Sequence, residues 1–132
     1  MPYLGDYTED YATLNHKFTT NDSTGLGTTL TSGVISVYKG SATDSESTAG
    51  VILAADFDGV TGLNNVLIDL SADAFYATGQ DYSIVLTAGT VDSISVAGYV
   101  VATFSIENRF DEVNVTKWLG NAVGRLFRVI GK

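Results

Sequence analysis

The sequence predicts an all-β domain, an antiparallel β-sandwich of six to eight strands. Short segments alternate apolar and polar residues, which is the side-chain period of a half-buried strand. Turn residues separate these segments about every ten residues. The composition agrees, because hydrophobic residues make up 45% of the chain and there is a single Pro. A small closed barrel is the alternative architecture for the same pattern.

The clearest alternation lies in residues 81–88 and 99–106, with turn residues at 89–92 and 97–98 between them. These two segments predict the central hairpin of the fold. Tyr82 follows a small-residue corner, Gly79-Gln80-Asp81, and resembles the tyrosine corner of immunoglobulin-like sandwiches. The side chains predicted to face the core are Tyr82, Ile84, Leu86, Val100, Ala102, Phe104 and Ile106.

Other strands are predicted from the same alternation at residues 11–19, at Leu30 with 34–38, at 51–57 and at 63–70. Residues 39–50 contain no apolar side chain larger than Ala, so we expect a solvated loop there. Residues 71–76 are expected to form a single helical turn, in which Ser71 caps the start and Phe75 closes the sandwich edge.

Three regions are predicted: an N-terminal arm at 1–10 with room for a short strand, a sandwich domain at 11–109, and a linker and docking segment at 110–132. Their charges differ. Residues 1–108 hold 13 acidic and two basic side chains, whereas residues 109–132 hold five basic and two acidic ones. An acidic body repels nucleic acid, so no nucleic-acid partner is expected.

Residues 117–132 have apolar side chains at spacings of three and four, which predicts an amphipathic helix. Gly120 and Gly124 weaken it, so the segment needs a surface on which to lie. A protein interface is favoured over a membrane surface. The residues predicted to bind a partner are Trp118, Leu119, Val123, Leu126, Phe127, Ile130, Arg125 and Arg128 in this segment, with Tyr3 and Tyr7 in the arm.

The sequence does not predict an enzyme or a cofactor. His16 is the only His and there is no Cys, so zinc and thiolate sites are not expected. His16 alternates with Leu14 and Phe18, which favours a packed or half-exposed role over a catalytic base. The sequence Asp56-Phe57-Asp58-Gly59 favours a plain turn over a calcium loop, because further ligands are missing. No stretch approaches 18 apolar residues, and the first residues do not resemble a secretory leader.

Four strings together resemble a family of small virion proteins of tailed bacteriophages. They are YLGDYTED near the start, FTTNDSTG at 18–25, the long string at 57–109, and VNVTKWLGNAV at 113–123. The family shares the immunoglobulin-like sandwich of the N-terminal domain of phage baseplate upper proteins and fibre-anchoring modules. The resemblance covers most of the chain and implies no catalytic residues.

The resemblance implies a structural protein that attaches to the capsid or tail as a decoration, adaptor or fibre-base subunit. It would be assembled in the host cytoplasm, incorporated into the virion in several symmetric copies, and held by other virion proteins. In related proteins the segment like VNVTKWLG can open a longer region, whereas this sequence stops 16 residues after Thr116. That difference favours anchoring over receptor binding. The alternative is a receptor- or carbohydrate-binding sandwich module on the virion.

Overall fold

A computed structural model describes residues 1–40 and 45–109. The strands in these residues are β1 (Tyr3–Tyr7), β2 (Leu14–Thr19), β3 (Leu30–Lys39), β4 (Glu46–Ser47), β5 (Val51–Ala54), β6 (Leu63–Ile68), β7 (Gln80–Val91), β8 (Ile94–Ser95) and β9 (Tyr99–Ile106). One 3-10 turn, Phe57–Gly59, precedes β6. The all-β prediction is therefore confirmed for the described residues, while the predicted helix at 117–132 lies outside them.

The strands form two sheets. The larger has the order β1-β9-β7-β3-β4, with β8 attached to β7, and the smaller has the order β2-β6-β5. Within the described residues the two sheets share no strand pairing, which argues against the closed barrel. All pairs are antiparallel except β1 and β9, which run parallel.

A single apolar core lies between the sheets, because buried residues from both belong to one cluster. The prediction for β7 is confirmed: its inward residues Tyr82, Ile84 and Leu86 are buried. Leu14 and Phe18 from β2 and Val66 from β6 supply the opposite side. This alternation follows from the period of two along each strand.

The pattern in β9 was predicted correctly only in its second half. Ala102, Phe104 and Ile106 are buried as expected, but Val101 is buried as well. The register shifts here, because Ile84 pairs with Ala102 whereas Val85 pairs with Val100. Val101 is the extra residue of a β-bulge, and a bulge interrupts the alternation of side chains.

The Tyr82 hydroxyl forms hydrogen bonds with the backbone a few residues upstream. The Tyr82 hydroxyl accepts from the Ala77 N–H at 2.7 Å and donates to the Phe75 carbonyl at 2.9 Å. The Tyr82 ring stacks on Phe104 with centroids 5.1 Å apart. Phe75 is partly buried, packs against the core and makes an edge-on ring contact with Tyr76.

The helical turn predicted at 71–76 was wrong, because these residues form hydrogen-bonded turns instead. The Asp69 carboxylate accepts from the N–H and the hydroxyl of Ser71, and Asp73 accepts from the Phe75 N–H. An aspartate that accepts from the backbone two residues ahead forms an Asx turn, which competes with a helix.

Three further boundaries differ from the predictions. Residues 3–7 pair with β9, so this part of the predicted arm belongs to the larger sheet and forms the short strand for which the prediction left room. The turn expected at 89–92 begins later, because β7 continues to Val91 and turns at Asp92 and Ser93, both with positive φ. Within the loop predicted at 39–50, Glu46–Ser47 pair with Val37 and Tyr38.

Candidate docking site

The first strand and the end of the last strand are joined around Asp6. The Asp6 carboxylate accepts a hydrogen bond from the Ser105 hydroxyl, from the Asn108 N–H at 3.0 Å and from the Arg109 N–H at 3.1 Å. Because these N–H groups lie just beyond β9, Asp6 supplies the partners that the sheet no longer provides. We call Asp6, Ser105, Asn108 and Arg109 the exit junction.

The local sequence of β1 makes this junction possible. The register between β1 and β9 shifts between Tyr3 and Asp6, and Gly5 between them has a φ of 118°. Glycine adopts this conformation without the steric cost that a Cβ would add. Asp6 consequently lies opposite Ser105, within reach of the last described residues.

The electrostatics of Asp6 favour its ionised form. Burial acts to raise the pKa of the Asp6 carboxyl, but the hydrogen bonds from Ser105, Asn108 and Arg109 outweigh it and hold the pKa below the ordinary value. Hydrogen bonds donated to a carboxylate stabilise its charge. The Asp6 carboxyl is therefore ionised at neutral pH.

Arg109 and Tyr3 complete the surface of the junction. The Arg109 guanidinium forms an exposed ion pair with Asp81 at 3.0 Å and lies over the Tyr3 ring at 5.8 Å from its centroid. The Tyr3 hydroxyl is 2.6 Å from the Ser105 Oγ. Tyr3 thus remains half exposed while its hydroxyl is fixed, which suits the contact role that the sequence predicted for it.

Tyr7 is placed differently. It is partly buried, with its ring 5.1 Å from that of Tyr11 and 6.2 Å from that of Phe104. Burial raises the pKa of its hydroxyl, followed by the effect of the neighbouring tyrosines. The described contacts of Tyr7 therefore attach β1 to the core. The other predicted docking residues, from Trp118 to Ile130, lie outside the described residues.

A second surface lies at the opposite end of the domain. Three segments meet there, the loops at residues 20–29 and 55–62 and the connection at 92–98 that contains β8, and we call this surface the loop end. The Thr20 N–H donates to the Gly62 carbonyl at 2.9 Å, and the Thr29 hydroxyl donates to Asp56 at 2.7 Å. These hydrogen bonds hold the first two loops together.

The loop end presents large apolar side chains to solvent. The exposed fractions are 68% for Leu26, 50% for Val60, 61% for Ile94 and 48% for Tyr99. Beside Tyr99 a groove of about 460 Å³ opens between residues 19–21 and 96–99. Sequence analysis missed this surface, because an isolated apolar residue in a loop has no periodicity to reveal it.

The residues that the sequence analysis considered for chemistry have the following surroundings in the structure. His16 is partly buried, and burial followed by the nearby Lys17 lowers its pKa, which keeps the imidazole neutral at pH 7. Asp56 accepts hydrogen bonds from the Gly62 N–H and from Thr29, so it stabilises the turn. Within 1–40 and 45–109 no three His, Asp or Glu side chains are grouped in a way that could hold a metal ion.

Comparison with known proteins gives no relative: no protein-family model, no curated protein and no solved structure matches the chain. The described residues also contain no helix of the length and apolar character needed to cross a membrane.

Proposed function

We propose that the two sheets form an immunoglobulin-like sandwich. The order β2-β6-β5 corresponds to strands B, E and D of that fold, and β9-β7-β3-β4 corresponds to strands G, F, C and C′. Tyr82 near the start of β7 has the tyrosine-corner hydrogen bonds at the position where the fold has them. The first strand differs, because it pairs in parallel with the last.

On this frame, the protein functions as a non-enzymatic structural component of a tailed-bacteriophage virion. It attaches to the capsid or tail as a decoration, adaptor or fibre-base subunit, through contacts with other virion proteins. The resemblance of four sequence strings to small phage virion proteins suggests this role. Attachment is through residues 117–132, assisted by Tyr3.

The observation that most supports this proposal is the exit junction. A docking segment on a structural subunit is most effective when it leaves the domain from a fixed point, because less conformational freedom is then lost on binding. The last described residues are held in this way: the Asn108 and Arg109 N–H groups donate to Asp6, and the Arg109 side chain pairs with Asp81. The exposed Tyr3 ring extends the same surface.

The alternative function is a receptor- or carbohydrate-binding module. Such a site needs several aromatic side chains clustered on one edge. The exposed tyrosines of the described residues do not share one edge, because Tyr3 lies against Arg109 and Ser105 of the exit junction whereas Tyr99 lies at the loop end. This dispersion favours the structural role.

The test is incorporation into particles. Phage that encode the protein without residues 117–132 should yield purified virions in which mass spectrometry finds the protein strongly depleted. Phage with Ile52→Ser serve as the control, because Ile52 is exposed on β5, away from the exit junction, and incorporation should stay normal.

Two results would contradict the proposal. Incorporation that survives the deletion would show that residues 117–132 do not attach the protein. Absence of the intact protein from purified virions would exclude the virion role altogether. Binding of the purified protein to a glycan array would instead support the alternative.

A further inference from the structure

The loop end combines exposed apolar side chains with negative charge. Its three segments contain Asp22, Asp56, Asp58 and Asp92 and no Lys or Arg. The Lys17 ammonium of β2, which lies 4.6 Å from the centre of the Phe57 ring, offsets part of this charge. Leu26, Val60, Ile94 and Tyr99 are exposed in or beside the same three segments. Exposed apolar groups that are grouped together on a soluble domain mark an interaction surface. The occupant must therefore be apolar and positively charged.

Residues 117–132 of the same protein have this composition. The segment contains four basic residues and no acidic one, together with Trp118, Leu119, Val123, Leu126, Phe127 and Ile130. Its charge is opposite to that of the loop end, and complementary charge favours both encounter and correct orientation. The groove of about 460 Å³ beside Tyr99 has room for a large aromatic side chain.

The position of the exit junction argues against an intramolecular contact. Arg109 lies beyond the end of β9, whereas Tyr99 begins this strand at the loop end. Eight strand residues span about 26 Å. Residues 110–116 cover at most about 25 Å when fully extended. An intramolecular contact would require residues 110–116 to turn back along the domain, or residues 117–132 to cover part of that distance themselves. A second copy placed end to end would instead meet the segment where it leaves the domain.

We propose that the loop end of one copy binds residues 117–132 of a second copy, so that the protein associates head to tail. This inference rests on the docking role proposed above for residues 117–132 and names the partner. An interface between two different surfaces leaves one of each free at the ends, and it therefore generates rings or filaments. Residues 117–132 of one copy would then lie between the acidic loop end of the second copy and the exit junction of their own copy, where Asp6 and Asp81 are located.

The experiment measures the mass of the purified full chain by sedimentation velocity over a range of concentrations. The expected result is association that increases with concentration. The double variant Leu26→Asp/Ile94→Asp changes the loop end, and Trp118→Ser/Phe127→Ser changes the segment. Each should weaken association about tenfold or more, as loss of interface anchors commonly does. Ile52→Asp, an exposed apolar residue outside the loop end, should leave association unchanged.

Mixing the two double variants gives the decisive result. Each lacks one of the two surfaces, so each alone should be a monomer, while together they should form a dimer that grows no further. Association of Trp118→Ser/Phe127→Ser by itself would show a different interface and overturn the inference. A full chain that stays monomeric at every concentration would overturn it too. Virion incorporation of that same chain would leave the proposed function intact, so the two failures are distinguishable.

Discussion

At the scale of single residues, two polar side chains each hold the backbone in place at one end of a strand. Tyr82 fixes the corner that leads into β7, and Asp6 fixes the end of β9. Both side chains accept hydrogen bonds from backbone N–H groups that lie outside the regular strand pairing. The Ala77 N–H is partly buried, whereas the Asn108 and Arg109 N–H groups are exposed. Loss of its partner is therefore more costly at the Tyr82 corner, because water can replace the partner of an exposed donor.

Tyr82→Phe should lower the free energy of unfolding by about 1–3 kcal/mol. The substitution keeps the ring against Phe104 but leaves the Ala77 N–H and the Phe75 carbonyl without the hydroxyl. Urea unfolding measures the change. Tyr99→Phe is the matched control, because Tyr99 is half exposed, and it should change stability by less than about 0.5 kcal/mol. Equal effects of the two substitutions would contradict the role given to the corner.

Asp6→Asn should change how stability depends on pH. The pKa of Asp6 is lower in the folded protein than its ordinary value of 3.8, so its contribution is complete above that value and is lost as pH falls through the folded pKa. The difference in stability between wild type and Asp6→Asn should therefore be largest above pH 3.8 and should narrow below it. Urea midpoints measured across this pH range provide the test.

Ser105→Ala gives an independent check of the same junction. It removes one donor to the carboxylate, so the pKa of Asp6 measured by NMR titration should rise toward its ordinary value. An unchanged pKa in Ser105→Ala, or parallel stability curves for wild type and Asp6→Asn, would show that these hydrogen bonds do not stabilise the ionised form.

At the scale of elements, the loop from β5 to β6 packs directly against the loop from β2 to β3 within the loop end. Gly62 has a φ of +85°, and a Cβ there would lie 2.7 Å from both the Thr20 carbonyl oxygen and the Thr28 nitrogen. Gly59, in the same turn, has a φ of +72°, but a Cβ there would meet open space. Alanine substitutions at the two glycines therefore distinguish the cost of backbone strain from the cost of steric contact.

Gly62→Ala should destabilise the protein by about 2–4 kcal/mol, from the strain of positive φ together with the contact with neighbouring backbone. Gly59→Ala should cost only about 1 kcal/mol, because strain alone acts there. Thermal or urea unfolding of the two variants measures both. A Gly62→Ala variant no less stable than Gly59→Ala would mean that the two loops can move apart at little cost.

An element could be predicted from the sequence where the alternation of apolar and polar residues lies entirely within that one strand. The alternation around Tyr82, Ile84 and Leu86 identifies β7 and its buried face without knowledge of its neighbours. Partner choice was not predictable in this way. The contact between Asp6 and Ser105 joins residues 99 positions apart, and no periodicity in either segment indicates it. The parallel pairing of β1 escaped prediction for the same reason.

Local competition accounts for the remaining differences. Residues 71–76 have a composition compatible with a helical turn, but Asp69 and Asp73 bind nearby N–H groups and stabilise turns. The bulge at Val101 depends on how β9 fits against β7, which only the assembled sheet determines. The loop end consists of three loops that are separate in sequence, so its apolar character appears only when the fold brings them together.

At the scale of the whole molecule, one core unites both sheets, so we expect a single cooperative unfolding transition. Ile84→Ala should lower stability by about 2–5 kcal/mol, because Ile84 is fully buried. Ile52→Ala is the matched control and should change it by less than about 0.5 kcal/mol, since Ile52 is 61% exposed. Circular dichroism and tyrosine fluorescence should give coincident curves, and separate midpoints would show that the sheets unfold independently.

The parallel pairing of β1 with β9 has a mechanical consequence. The start of β1 and the end of β9 lie at opposite ends of the paired segment, because the two strands run in the same direction. A pull applied before Tyr3 and after Arg109 would therefore slide the strands past each other. Their hydrogen bonds, together with those that Asp6 accepts from Asn108 and Arg109, would be loaded all at once and not one after another. A subunit built in this way resists tension along its length.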